Sequence, residues 1–220
     1  MNAGEPRKQK SAGPGSRAGD PPRVALYFDF LSPFAYLAQH RLRQLASRHG
    51  WSIEYHAIDL GSAKLAVGNT GPSNRDMPIK LAYLKNDLQR WAGLYGVPLL
   101  FPPNFNSQRL NAGLTFPDCA GHEADYVRLA FEQVWALGRA PDSDDTVDTV
   151  AAAMGWEPDR FVTFVDGDGR AALAEATREA IDQQIFGVPT MVADGQMWWG
   201  NDRIFMLERH LSAAPPDAVR

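Results

Sequence analysis

The chain has 220 residues, 45% of them hydrophobic and 22% charged, which is ordinary for a globular protein with room for one or two cores. A net charge of -4 and a pI near 5.7 offer no broad basic field, which argues against nucleic acid as a partner. A single cysteine, Cys119, excludes an internal disulfide and a dithiol redox cycle run on the protein's own residues, and it suits a reducing cytoplasm.

Residues 1–22 are rich in Gly, Pro, Ser and basic side chains and lack the apolar stretch of a secretory signal, so they read as a disordered extension. Glu5, Asp20 and the helix-breaking residues around them weigh against an organelle transit peptide. No apolar run approaches the ~18 residues of a membrane span.

The first ordered element is expected over residues 24–30, where both alternating sets are apolar apart from Asp29, the pattern of a strand buried on two faces. Ser32 and Pro33 then pair a good N-cap with a residue favoured at the first helical position. A helix follows to about His49, with Ala38, Leu42 and Leu45 as its buried stripe and Gly50 as its stop. Alternation over residues 52–58 predicts a second strand, so the chain opens β-α-β.

From Gly61 to about Gln184 the pattern is helical, with stripes at Leu81, Leu84, Leu88, Trp91 and Tyr95 and at Val127, Phe131, Val134 and Leu137. Strand chemistry returns over residues 188–193. An Asp194-Gly195 turn leads to residues 196–199, a strong hairpin signal. A last helix carries Ile204, Leu207 and Leu211 on one face and ends before Pro215.

This order, with Val-Pro-Thr before the third strand and a special position at the start of the first helix, resembles the thioredoxin superfamily. Redox members carry Cys-x-x-Cys at that helix start, whereas FDFLSPFAYLA has Ser32 and Ala35 there. Together with AIDLGSAKLAVGNTGPSNRD, LKNDLQRWAGLYGVPLLFPPNFNS and FGVPTMVADGQMWWGNDRIFMLE, that segment is similar to the kappa-class glutathione transferases. It is closer still to the bacterial 2-hydroxychromene-2-carboxylate isomerases of naphthalene catabolism. The four segments run from Tyr27 to about Glu208, and residues 120–178 carry no motif of the pattern.

The resemblance implies an α/β thioredoxin fold with a large helical insertion between its β-α-β and β-β-α halves. Residues 23–60 and 185–214 would form the glutathione-binding domain, and residues 61–184 a helical domain that contributes the substrate site. It implies a glutathione-dependent isomerase interconverting 2-hydroxychromene-2-carboxylate and trans-o-hydroxybenzylidenepyruvate, a cytoplasmic homodimer acting on a small aromatic carboxylate. A kappa-type transferase and a non-catalytic thioredoxin-fold protein that binds a thiol or peptide stay open beside it.

The resemblance also assigns residues. Locally Ser32 reads as a helix N-cap; by resemblance its hydroxyl donates to the sulfur of glutathione, where the positive helix end also favours an anion. Pro189 reads locally as a turn or edge-strand proline. By resemblance it is the cis proline that leaves the backbone of Val188 free for the cysteinyl part of glutathione. Trp199, Gly200, Asn201 and Asp202 read as a helix cap and, in the family, hold the γ-glutamyl end. Lys64, Asn74, Arg75 and Asn106 are implied on the substrate side, the two cations for the carboxylate and the amides for phenolic or keto oxygens. Phe34, Trp91, Trp198 and Trp199 are expected in the core or along an apolar cleft. The five histidines have no metal-ligand spacing, and Asp166-Gly167-Asp168-Gly169 lacks the ligands of a calcium loop.

Overall fold

The computed structural model describes residues 21–212, so the extension expected over residues 1–22 falls almost entirely outside the described residues, as does the side chain of Arg75. Strand β1 (Arg23–Phe28) runs parallel to β2 (Ser52–Ala57), with Arg23 opposite Ser52 and Phe28 opposite Ala57, and helix α1 (Pro33–His49) forms the crossover. β1 stops two residues short of the expected end. Asp29 turns its carboxylate back onto the Leu31 N–H, and the chain leaves the ladder there. Ser32 caps α1 by accepting from the Ala35 N–H, Pro33 follows it, and Gly50 closes the helix in the left-handed region.

Among the described residues, the insertion between β2 and the next strand is helical throughout, as the sequence predicts. It comprises α2 (Leu60–Ala66), α3 (Pro78–Tyr95), α4 (Gln108–Gly113), α5 (Glu123–Phe131), α6 (Asp144–Ala153), α7 (Pro158–Asp166) and α8 (Asp168–Asp182). Helix α5 continues into a π-helical turn over Glu132–Ala136. The Asp166-Gly167-Asp168-Gly169 run is the corner between α7 and α8.

The chain then returns to the sheet as the hairpin β3 (Thr190–Ala193) and β4 (Gln196–Trp199), and ends in α9 (Ile204–Ser212). Asp194 and Gly195 both have positive φ, 48° and 71°, the twist that a two-residue hairpin needs. β3 begins only at Thr190 because Pro189 has no N–H to give to a ladder. Strand order is β2-β1-β3-β4, with β3 antiparallel to β1 and Tyr27 opposite Thr190. The fold is the expected thioredoxin-like α/β arrangement.

Alternation along β1 sorts its side chains between two layers. Val24, Leu26 and Phe28 enter a large core shared with α1 and α5 to α7, which includes Phe131, Trp135, Val150 and Phe161. Tyr27 faces a smaller cluster with Ile58, Ala63, Ala180 and Ile185, through which α8 covers the second face of the sheet. Because the first cluster crosses freely from sheet to insertion, the two parts of the chain share one core. Two expected stripes are weaker than their spacing implies. Leu137 is 51% exposed because the π-turn shifts the phase of the helix just before it. On α3, Leu88 is buried while Leu81, Leu84, Trp91 and Tyr95 are only half-buried.

Candidate active site

The first turn of α1 and the segment around β3 and β4 border one open cleft of about 480 Å³, within the range of small-molecule sites. Its walls are Phe34 from α1, Asp87 and Trp91 from α3, Val188 and Pro189 before β3, and Trp199, Gly200, Asn201, Asp202 and Arg203 after the hairpin. The sequence-predicted cofactor residues Val188, Pro189, Trp199, Gly200, Asn201 and Asp202 are thus brought together, with Ser32 two residues before Phe34.

Local chemistry fixes each group. The Val188–Pro189 peptide is cis, and neither the N–H nor the C=O of Val188 has a hydrogen-bond partner among the described residues. A peptide strand laid along this segment would find both groups available. The Pro189 carbonyl accepts from the Gly200 N–H at 2.9 Å, tying the two sides of the cleft. Gly200 has φ +104°, and a Cβ there would lie 2.6 Å from Asp202 Oδ1, so the carboxylate folds over a position only glycine fills. Arg203 donates to that same carboxylate.

Asn201 is 3% exposed and carries the most telling vacancy in polar bonding. Its Oδ1 accepts from Tyr95 Oη at 3.2 Å, whereas its buried Nδ2 has no partner. Burial pushes the Tyr95 hydroxyl above its ordinary value, which keeps it a neutral donor to Asn201. A buried amide N–H left unpaired costs about 1–3 kcal/mol, so Asn201 carries an unmet donor in a residue that borders the cleft. These features fit a γ-glutamyl peptide: a free backbone edge, an orphan donor and a carboxylate.

Ser32 is 6% exposed and is not itself among the cleft-lining residues. Its Oγ accepts from the Ala35 N–H at 3.2 Å, so the N-cap reading is realised. The hydroxyl proton is engaged by no described residue and is free to be donated. The cap and a thiolate donor are therefore compatible roles of one oxygen. Cys119, buried in the core, has its thiol pushed up to about 12, mainly by burial and then by Glu123, and is not a nucleophile near neutral pH.

The residues expected on the substrate side lie elsewhere in this structure. Lys64 sits half-buried in the last turn of α2, Asn74 is exposed in a short 3-10 turn, and Arg75 follows it with its side chain outside the description. Asn106 is exposed and reaches Asp142 Oδ2 at 3.5 Å. None of the three described side chains lines the cleft. Phe34, Trp91 and Trp199 do line it, whereas Trp198 packs on His210. Trp199 is 54% exposed and so belongs to the rim and not to the core.

Sequence reasoning missed Asp87, Arg203 and, deeper in, Asp29. The last is 1% exposed and accepts from Ser107 Oγ at 2.5 Å, Asn111 Nδ2 at 2.8 Å and the N–H groups of Leu31 and Leu60, each at 3.0 Å. Burial raises its carboxyl above the ordinary range, and the hydrogen bonds from Leu31, Ser107, Asn111 and Leu60 offset only part of that rise. A lone acid in a strand apolar on both faces was the available signal.

Known proteins share this sequence pattern and fold. The family model for DSBA-like thioredoxin domains matches residues 23–212. A 2-hydroxychromene-2-carboxylate isomerase of Pseudomonas sp. (strain C18) is 50% identical over 193 residues, 87% of this chain and 91% of that protein. A solved 2-hydroxychromene-2-carboxylate isomerase structure superposes with a TM-score of 0.83 at 49% identity, covering 86% of this chain and 94% of the other. More distantly, glutathione S-transferase kappa 1 of Caenorhabditis elegans is 24% identical over 212 residues, 89% of this chain and 93% of that one.

Proposed function

Because the chain belongs to the DSBA-like thioredoxin-domain family and, within it, to the family of 2-hydroxychromene-2-carboxylate isomerases, we propose a glutathione-dependent isomerase. Its reaction would interconvert 2-hydroxychromene-2-carboxylate and trans-o-hydroxybenzylidenepyruvate. The observation that supports the glutathione part is an unpaired Val188 edge at a cleft that Asn201 and Asp202 also line, with a serine of free hydroxyl proton two residues before Phe34 in the cleft wall.

When bound, glutathione supplies the thiolate that adds reversibly to a conjugated double bond, making it a rotatable single bond, and is regenerated at the end. The chain's own residues prepare that chemistry. Val188 holds the cysteinyl backbone, Asn201 Nδ2 donates to the γ-glutamyl end, and Asp202 accepts from its ammonium. Ser32 donates to the sulfur at the positive end of α1, lowering the thiol pKa from its usual ~8.5 toward neutrality. Phe34, Trp91 and Trp199 exclude water from an aromatic substrate. Lys64 and Arg75 would meet the substrate carboxylate, and Asn74 and Asn106 its phenolic or keto oxygens, when the substrate is bound. The same reading expects a cytoplasmic homodimer serving the breakdown of naphthalene and related aromatic hydrocarbons.

The test mixes purified protein, substrate and a trace of glutathione. Turnover far beyond the glutathione supplied is expected, and a rate indifferent to glutathione would overturn the proposal. Stoichiometric loss of glutathione would instead identify a kappa-type transferase.

A further inference from the structure

The turn that carries Ser32 is held by Asp29 at its start and by two side chains that reach in from the helical insertion. Phe30 donates its N–H to Asn111 Oδ1 at 3.0 Å, and its carbonyl accepts from Trp135 Nε1 at 2.8 Å. Leu31 N–H goes to Asp29 Oδ1 at 3.0 Å and Ser32 N–H to the Asp29 carbonyl at 2.9 Å. Asp29 is fixed in turn by Ser107 and Asn111 on and before α4 and by Leu60 N–H at the start of α2. Asp29, Ser107, Asn111 and Trp135 are at most 3% exposed.

A buried polar knot is an expensive way to fill space, since well-packed apolar side chains of like volume usually serve stability as well or better. What it does provide is geometry. The N–H groups of Phe30, Leu31 and Ser32 and the carbonyl of Phe30 each have one assigned partner, and the π-turn over Glu132–Ala136 carries the Trp135 whose indole reaches that carbonyl. An active-site donor held within about half an ångström of its target needs such support. We propose that Asp29, Ser107, Asn111 and Trp135 are positioning residues for Ser32, through which the insertion presets the hydroxyl that stabilises the thiolate. This inference rests on the glutathione reading for its consequence but not for its geometry.

Trp135→Phe removes the indole donor and Ser107→Ala removes the hydroxyl on Asp29. Tyr126→Phe is the matched control, since it removes only the Oη bond to the Leu110 carbonyl at 2.6 Å in the same core and keeps the ring that meets Phe30 edge-on. Two readouts are needed: amide hydrogen exchange at Leu31 and Ser32 in the free protein, and the pKa of protein-bound glutathione followed by thiolate absorbance. In the first two variants, exchange at these amides is expected to quicken about tenfold and the bound thiol pKa to rise by about half to one unit. The control should move neither. Unchanged exchange in both test variants, or equal changes in Tyr126→Phe, overturns the positioning role. Should the unaltered protein leave the glutathione pKa at its free value, the proposed function falls, and the exchange measurement alone decides whether the turn is held as described.

Discussion

Replacing Ser32 by alanine and by glycine separates the two roles its oxygen can hold. As a cap, Oγ accepts from the Ala35 N–H, and losing that bond to alanine costs about 1 kcal/mol, whereas glycine at an N-cap costs only a few tenths. For a chain of this length, 1 kcal/mol corresponds to a Tm fall of about 2–4 °C. As a donor to a thiolate, the same hydroxyl contributes a hydrogen bond to a charged group, about 1.5–3 kcal/mol, or one to two units of thiol pKa. Both variants should therefore lose about 8-fold to 25-fold in isomerisation rate near pH 7, the ratio of thiolate fractions before and after the shift back to ~8.5. The deficit should close as pH rises above ~8.5, where glutathione ionises unaided. Ser32→Thr, which keeps both hydroxyl functions, should retain most of the rate. The assay is initial rate against pH at saturating glutathione, beside thermal denaturation of each variant. A glycine variant as active as the parent, or a loss equal at all pH values, would refute the thiolate role and leave only the cap.

Other perturbations test the frame around the serine. In Gly113→Ala the new Cβ would lie 2.1 Å from Tyr126 Oη and 2.6 Å from Phe161 Cζ, both buried, so the loss should exceed about 3 kcal/mol by urea denaturation. Asp29→Asn can keep an oxygen toward Ser107, Asn111 and Leu31 only by turning its amide onto the Leu60 N–H, and a cost of about 1–3 kcal/mol is expected. Because Asp29 is raised in the folded protein, its contribution to stability is complete below the unfolded value near 4 and is lost as pH climbs through the raised one. The stability gap to Asp29→Asn should thus narrow as pH rises across that window, and a widening gap would contradict it. Cys119 should resist alkylation at pH 8 in the native protein and react once urea exposes it, a difference read by mass spectrometry.

Much of the sheet is legible locally because its signals are short-range. Ser32-Pro33 and Gly50 mark both ends of α1, and Asp194-Gly195 sets the hairpin through two positive φ values. Where the reading falters, the deciding partner is distant or the period is broken. Asp29 bonds to side chains 78 and 82 residues away, which no window can pair, so it registers in the sequence only as an anomaly in an apolar strand. The π-turn inserts one residue into a helical period, which carries Leu137 outward and lets Trp135 reach Phe30. Trp199 looks like core by residue type, yet its place on the outermost strand beside the cleft leaves it half exposed.

The same distance dependence explains why the residues expected to hold the cofactor, Ser32 apart, gather at one cleft while those expected on the substrate side do not. Val188, Pro189 and residues 199–202 are joined by one hairpin, so backbone pairing between Thr190 and Trp199 is enough to bring them face to face. The pairing of β1 with β3, the next link in the same sheet, brings the start of α1, and with it Phe34, to the same cleft. Lys64, Asn74 and Asn106 hang on α2, a short turn and the loop before α4, with no strand pairing to fix them against the cleft. On the proposed reading, their approach to an aromatic carboxylate requires movement of those segments. If so, Lys64→Ala should raise the substrate KM while leaving the pKa of bound glutathione unmoved, whereas Ser32→Gly should do the reverse. Parallel shifts in both quantities for both variants would mean that the two halves are not separable.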